Sequence, residues 1–219
     1  MSLFAQEKKV EENPSTRFEK EIQAFEAQDK EMKASEGAIL CVGSSSIRFW
    51  RSLKEDMSHL RVINRGFGGS TFADLMYYYD RIVKPYKPKA VLVYEGDNDL
   101  VDETMTPEKV FDNLLGFYNR VQEDFPKTKV WFIAIKPSPA RVHLLERMQK
   151  SNELIQKHAS STPYLEYLDV ATPMMKKDGN IREDIFIQDR LHMNAEGYKI
   201  WKEVIRPILI KEYHVKSAD

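Results

Sequence analysis

Two rhythms of apolar residues run along this chain, and their alternation predicts an α/β fold. Short strand-like runs fall at 38–42, 61–64, 89–94, 130–135 and 164–170. The run at 89–94 (Lys-Ala-Val-Leu-Val-Tyr) is nearly all apolar, as expected of a strand covered on both faces. Between the runs, apolar positions recur at helical spacing. Phe72, Leu75, Met76, Tyr79, Ile82 and Val83 follow a capping Thr71. Thr106-Pro107-Glu108 opens a helix through about residue 123. Ser138-Pro139 opens a long one carrying Leu144, Leu145, Met148, Ile155 and Ala159. Asn194 caps a last helix with Tyr198, Trp201, Ile205 and Ile208, in which Pro207 is a candidate kink or end.

Upstream, residues 5–14 are charged and close on Asn13-Pro14, which predicts a loose arm over 1–14. The stretch Thr16-Arg-Phe-Glu19 then has the form of a capping box. Phe18, Ile22, Phe25 and Met32 share one face, so a helix over about 15–35 lies on the domain and is not a separate module. Five strands separated by helices imply a parallel sheet with helices on both faces, a three-layer α/β/α sandwich in one domain spanning 15–219. Ligands bind outside the carboxyl ends of such strands, which is where this chain puts its polar and glycine-rich loops.

Composition narrows the function classes. Lys+Arg (33) and Asp+Glu (34) nearly cancel, so no field gathers nucleic acid or an anionic membrane, and no apolar run approaches a membrane span. A single cysteine, Cys41, excludes an intramolecular disulfide. The first residues lack the apolar core of a signal peptide. Phe4-Ala5-Gln6 fits the end of a trimmed one, and with it a periplasmic or secreted protein, as well as it fits a cytoplasmic start. A homo-oligomer is compatible with all of this.

Four segments carry candidate chemistry. Gly43-Ser44-Ser45-Ser46 holds serines between a strand end and a helix start, a place for a nucleophile or simply for a helix cap. Asn64-Arg-Gly-Phe-Gly-Gly69 offers backbone N–H donors to a ligand, or else a tight turn. In Glu95-Gly96-Asp97-Asn98-Asp99, Asn98 could donate to a developing oxyanion. The acids there, with Asp102 and Glu108, do not make an EF-hand loop, because Val101 and Asp102 stand where that loop needs an oxygen ligand and a glycine. Asp189-Arg-Leu-His192 sets a carboxylate three residues before an imidazole, suited to a base pair or to a surface pair beside the Asn194 cap. His59, His143, His158 and His214 lack an obvious partner and read as surface residues.

Taken in order, these segments resemble the four blocks of the SGNH (GDSL-like) hydrolases across residues 38 to about 206, with the glycine block nearest to platelet-activating-factor acetylhydrolase-like members. Ser44 stands where the family usually has an aspartate outside the triad. The resemblance implies a flavodoxin-like sandwich and a serine esterase needing no metal or organic cofactor. It implies Ser45 as nucleophile and His192 as base, with Asp189 orienting it. The oxyanion donors would be the N–H of Ser45, the N–H of Gly69 and the amide of Asn98. The block order also selects Ser45 over its neighbours, with a helix beginning near Ser46 on an Ile47, Trp50, Leu53 stripe. A small-molecule ester with a short acyl group, such as an acetylated carbohydrate, is the expected substrate. A thioesterase or lysophospholipase with the same triad is the enzyme alternative, and a catalytically inactive carbohydrate- or lipid-binding module is the alternative from another class.

Overall fold

The computed structural model describes residues 14–32 and 36–213, so most of the expected arm at 1–14, together with His214, lies outside the described residues. Helical structure begins as a 3-10 turn at Pro14–Phe18 and continues as α1 (Glu19–Met32). The expected start at Thr16 therefore falls inside a helical segment. Strand β1 (Ile39–Gly43) leads through two four-residue helices, α2 (Ser45–Arg48) and α3 (Leu53–Asp56), to β2 (Val62–Gly66). Next come α4 (Phe72–Tyr77), α5 (Tyr79–Ile82) and β3 (Ala90–Tyr94). The chain ends with α6 (Pro107–Asp124), β4 (Lys129–Ile133), α7 (Leu145–Ala159), β5 (Leu165–Leu168) and α8 (Ala195–Glu212).

All four strand pairings are parallel, in the order β2-β1-β3-β4-β5. Alternate residues of each strand feed opposite cores, because successive side chains leave a strand on opposite faces. Leu40, Val42, Val91, Val93, Val130 and Phe132 join α1, α4, α5, α6 and α7 on one side. Ile39, Cys41, Leu92, Tyr94, Trp131 and Ile133 join α2, α3 and α8 on the other. Each fully buried aliphatic side chain of this kind contributes about 1.5–3 kcal/mol, enough to fix strand register, since a slip by one residue would exchange the faces.

Three expected elements differ in detail. The helix after Thr71 is two, broken at Tyr78; a turn there lets consecutive rings, Tyr78 and Tyr79, enter the same core. Thr71 caps α4 in a reciprocal box with Asp74. The long helix after Ser138 starts as a 3-10 segment, Pro139–Leu144, in which Arg141 departs from helical geometry. Pro207 does not end α8, which runs on to Glu212.

Candidate active site

Ser45 opens α2, two residues past Gly43 at the end of β1. Gly43, the last residue of that strand, has φ +126°, and a Cβ there would lie 2.0 Å from the Tyr94 carbonyl oxygen, so only glycine lets β1 and β3 converge here. Ser44 and Ser46 are buried and Ser45 is partly exposed. Ser44 occupies the N-cap position of α2 but makes no side-chain cap bond, so capping does not account for it. The single helix expected from the Ile47, Trp50, Leu53 stripe is split after Arg48, and all three residues sit in one core. With only four residues, α2 supplies little dipole, and what it offers Ser45 is an N–H at its first turn that has no partner among the described residues.

Across from Ser45 lies the loop at 187–192, closed by Ile187 N–H to the His192 carbonyl (2.9 Å) and Arg190 N–H to the Ile187 carbonyl (2.9 Å). Asp189 Oδ1 accepts the N–H groups of Leu191 and His192, each at 2.9 Å. Its Oδ2 lies 2.6 Å from His192 Nδ1, and His192 Nε2 lies 3.0 Å from Ser45 Oγ. Burial works against the Asp189 carboxylate, yet the bonds from the imidazole and the two N–H groups hold it down at about 2, from 3.8. An ionised carboxylate only accepts, so Nδ1 carries the proton and the Nε2 lone pair faces the hydroxyl. Phe49 packs edge-on against the imidazole, ring centres 5.0 Å apart.

The glycine loop lies beside the serine turn. Phe67 N–H donates to the Gly43 carbonyl (2.9 Å), and Asn64 Nδ2 donates to the Ile47 carbonyl (2.6 Å). Gly69 has φ +85°, a left-handed conformation that favours glycine. Arg17 from the N-terminal 3-10 turn donates to its carbonyl at 3.0 Å and to Asp74 at 3.0 Å. Among the described residues, neither the Gly69 nor the Ser45 N–H has a partner. Asn98 Nδ2 donates to the Ser70 carbonyl at 2.9 Å, leaving its second amide proton unpaired among the described residues. These are three free donors on loops that follow β1, β2 and β3, the arrangement that can hold a developing oxyanion.

Behind the loops sit two strained ionisations. Burial pushes the Glu95 carboxyl well above its usual value, with Asp99 nearby adding to the effect. Ser70 Oγ donates to one Glu95 oxygen at 2.6 Å; the other oxygen is buried without a partner among the described residues. Burial also raises Asp99 to about 6, against bonds from the Phe72 and Gly96 N–H groups. Both groups ionise earlier in the unfolded chain, which therefore binds fewer protons than the fold, and stability falls as pH rises through the interval between the two pKa values. That interval runs from 3.8 to about 6 for Asp99 and upward from 4.5 for Glu95. Each unit of elevation corresponds to about 1.4 kcal/mol. Glu95→Gln keeps the Ser70 bond and cannot ionise. Its melting temperature relative to wild type should climb as pH rises above the ordinary glutamate range; a gap independent of pH would show that Glu95 is already charged in the fold.

Asp102 accepts from Thr104 N–H and Oγ (2.8 Å each). Cys41 is buried in β1, where desolvation pushes its thiol up to about 12. His158, expected at the surface, is half-buried with its ring 5.1 Å from Phe111. What the pattern of motifs does not reveal is the segment after β4. There Lys136, Ala140 and Arg141 tie the Asn98 loop to the histidine loop. The available signal is a lysine at the carboxyl end of an apolar strand run.

Comparison with known proteins agrees with this architecture. A model of the GDSL-like lipase/acylhydrolase family matches residues 35–200. A GDSL-like lipase from Bacteroides thetaiotaomicron superposes with TM-score 0.72 at 20% identity, covering 91% of this chain and 98% of that one. A Streptococcus pneumoniae protein provisionally described as a platelet activating factor gives 0.73 at 20% identity, over 89% and 91%. An acetylxylan esterase from Geobacillus stearothermophilus gives 0.64 at 15% identity, over 82% and 94%. At such identities the likeness is one of fold. No curated protein matches the chain.

Proposed function

The chain belongs to the GDSL-like lipase/acylhydrolase family and is a carboxylic ester hydrolase, and from that premise we propose that it is a serine esterase of short-chain, chiefly acetyl, esters. The observation that carries the reading is the line of bonds from Asp189 Oδ2 through His192 to Ser45 Oγ, at 2.6 and 3.0 Å. Ser45 Oγ attacks the ester carbonyl as its proton passes to His192 Nε2. The N–H groups of Ser45 and Gly69 and the Asn98 amide stabilise the oxyanion, each donor contributing on the order of 3 kcal/mol at the transition state. His192 then returns the proton to the leaving alkoxide, and the alcohol departs. Water, deprotonated by the same imidazole, cleaves the acyl-enzyme and restores the Ser45 hydroxyl.

The leaving oxygen must approach His192 Nε2 to be protonated. A cavity of about 450 Å³ adjoins that imidazole, walled by Phe49, Arg51, Ile187, Met193 and Tyr198. It suits an alcohol with apolar and polar faces, such as a sugar ring on Phe49. The likeness to a protein described as an acetylxylan esterase supports the same substrate class by analogy.

Among p-nitrophenyl esters, kcat/KM should be greatest for acetate and fall by about tenfold or more by octanoate, and acetylated xylooligosaccharides should release acetate. A steady rise from C2 to C10 would instead favour a thioesterase or lysophospholipase.

A further inference from the structure

Asn98 is an amide, and an amide can face a site with either end. As an oxyanion donor it is useful only if its NH2 side points inward. The structure contains a device that decides the matter. Arg141 Nη2 donates to Asn98 Oδ1 at 2.9 Å, and a guanidinium has donors only. The opposite end of the amide donates to the Ser70 carbonyl at 2.9 Å, an acceptor only. A flipped amide would set NH2 against guanidinium and oxygen against carbonyl oxygen. Both contacts would be lost, and the site would face a carbonyl oxygen that repels an oxyanion.

Arg141 is itself held. Its Nη1 donates to the Asp97 carbonyl at 2.9 Å and pairs with the Asp97 carboxylate. Asp97 is buried. Burial would raise its carboxyl, but the charges of Lys136 and Arg141, with bonds from Arg141 and Tyr94, keep it below its ordinary value. Lys136, 1% exposed, reaches Asp97 Oδ2 at 3.3 Å and donates to the Leu191 carbonyl at 3.0 Å, next to His192. Ala140 N–H donates to the Arg190 carbonyl at 3.0 Å. One short segment, 136–141, thus braces the amide on one side and the histidine loop on the other.

We infer that Arg141 is a positioning residue for this esterase, forcing the Asn98 amide to present its N–H to the oxyanion through a fork shared between Asp97 and Asn98. The inference rests on Asn98 being an oxyanion donor. Arg141 departs from helical geometry within its 3-10 segment, which carries the guanidinium to this place. Lysine cannot replace the fork, because one ammonium on a flexible stem does not hold two acceptors in a plane.

The test is a double-mutant cycle on p-nitrophenyl acetate with Asn98→Ala, Arg141→Ala and the pair. Asn98→Ala should lower kcat by roughly 100- to 1000-fold with KM little changed. Arg141→Ala should lower kcat by about 10- to 100-fold, again at nearly constant KM, and should cost less than about threefold more in the Asn98→Ala background. Lys136 and Tyr94 still neutralise and bind Asp97 in that variant, so the fold should survive. Should it not, Arg141→Lys, which keeps the charge and removes the fork, goes through the same cycle with the same pattern expected. Losses that multiply in the double variant would show that Arg141 acts elsewhere and overturn the inference while leaving the Asn98 reading intact. A raised KM with kcat held would make Arg141 a substrate contact and overturn it equally. An Asn98→Ala protein with undiminished kcat would bring down the oxyanion reading, and the inference with it.

Discussion

Replacing Ser45 with alanine should leave a folded protein with kcat lower by on the order of 10⁴- to 10⁶-fold, because triad members act as a unit and what remains is binding and oxyanion stabilisation alone. The choice among three consecutive serines is physical. Ser44 and Ser46 are buried, whereas Ser45 is partly exposed and its hydroxyl lies 3.0 Å from His192 Nε2. Ser44→Ala and Ser46→Ala should therefore retain activity within about tenfold, their losses reflecting packing around the turn. A fluorophosphonate probe with peptide mapping gives an independent readout. It should label Ser45 in the wild type and nothing in Ser45→Ala. Label on Ser44 or Ser46 would move the nucleophile. A folded wild type that takes no label would favour a binding module without catalysis.

The candidate triad is readable in the sequence because each member sits where local rules confine it. A serine after a strand and a glycine can only emerge at the carboxyl edge of the sheet, and an aspartate three residues before a histidine can reach its ring in one turn of loop. The five strands are readable for a similar reason. Strands covered on both faces must be apolar throughout, and the runs at 89–94 and 130–135 allow no other reading of comparable simplicity. The misplaced details arise where tertiary contacts override local pattern. The break at Tyr78 follows from burying two consecutive rings in one core. The short α2 follows from a serine turn packed under the glycine loop, where Asn64 takes the Ile47 carbonyl. The Lys136–Asp97–Arg141 brace is invisible in one dimension because its partners are about 40 positions apart and each, read singly, is an ordinary surface charge. Arg17 is a parallel case: it lies outside the matched residues 35–200, yet it bonds the Gly69 carbonyl.

Asp189→Asn should keep the fold and cut kcat by on the order of 10³- to 10⁴-fold. The asparagine oxygen can still accept the Leu191 and His192 N–H groups that Asp189 Oδ1 now accepts, so the loop should close as before. Its NH2, however, would face His192 Nδ1 and donate to it. The imidazole must then carry its proton on Nε2, pointing at Ser45 Oγ, where it cannot accept one. The loss is one of tautomer, and it should appear in kcat with KM almost unmoved. The pH profile adds a second check. The wild-type carboxyl is held at about 2, so it stays ionised across the working range and contributes no limb of its own. Wild-type kcat/KM should fall on the acid side, because only a neutral imidazole accepts a proton. Asp189 favours the folded state above its unfolded pKa, and that contribution disappears only as pH falls toward about 2, so loss of activity at milder acidity should be reversible and without unfolding. Stopped assays on p-nitrophenyl acetate, with circular dichroism at each pH, measure both. A folded Asp189→Asn protein with near-normal kcat would remove Asp189 from the triad, and the orienting role would have to pass to another acceptor of the Nδ1 proton.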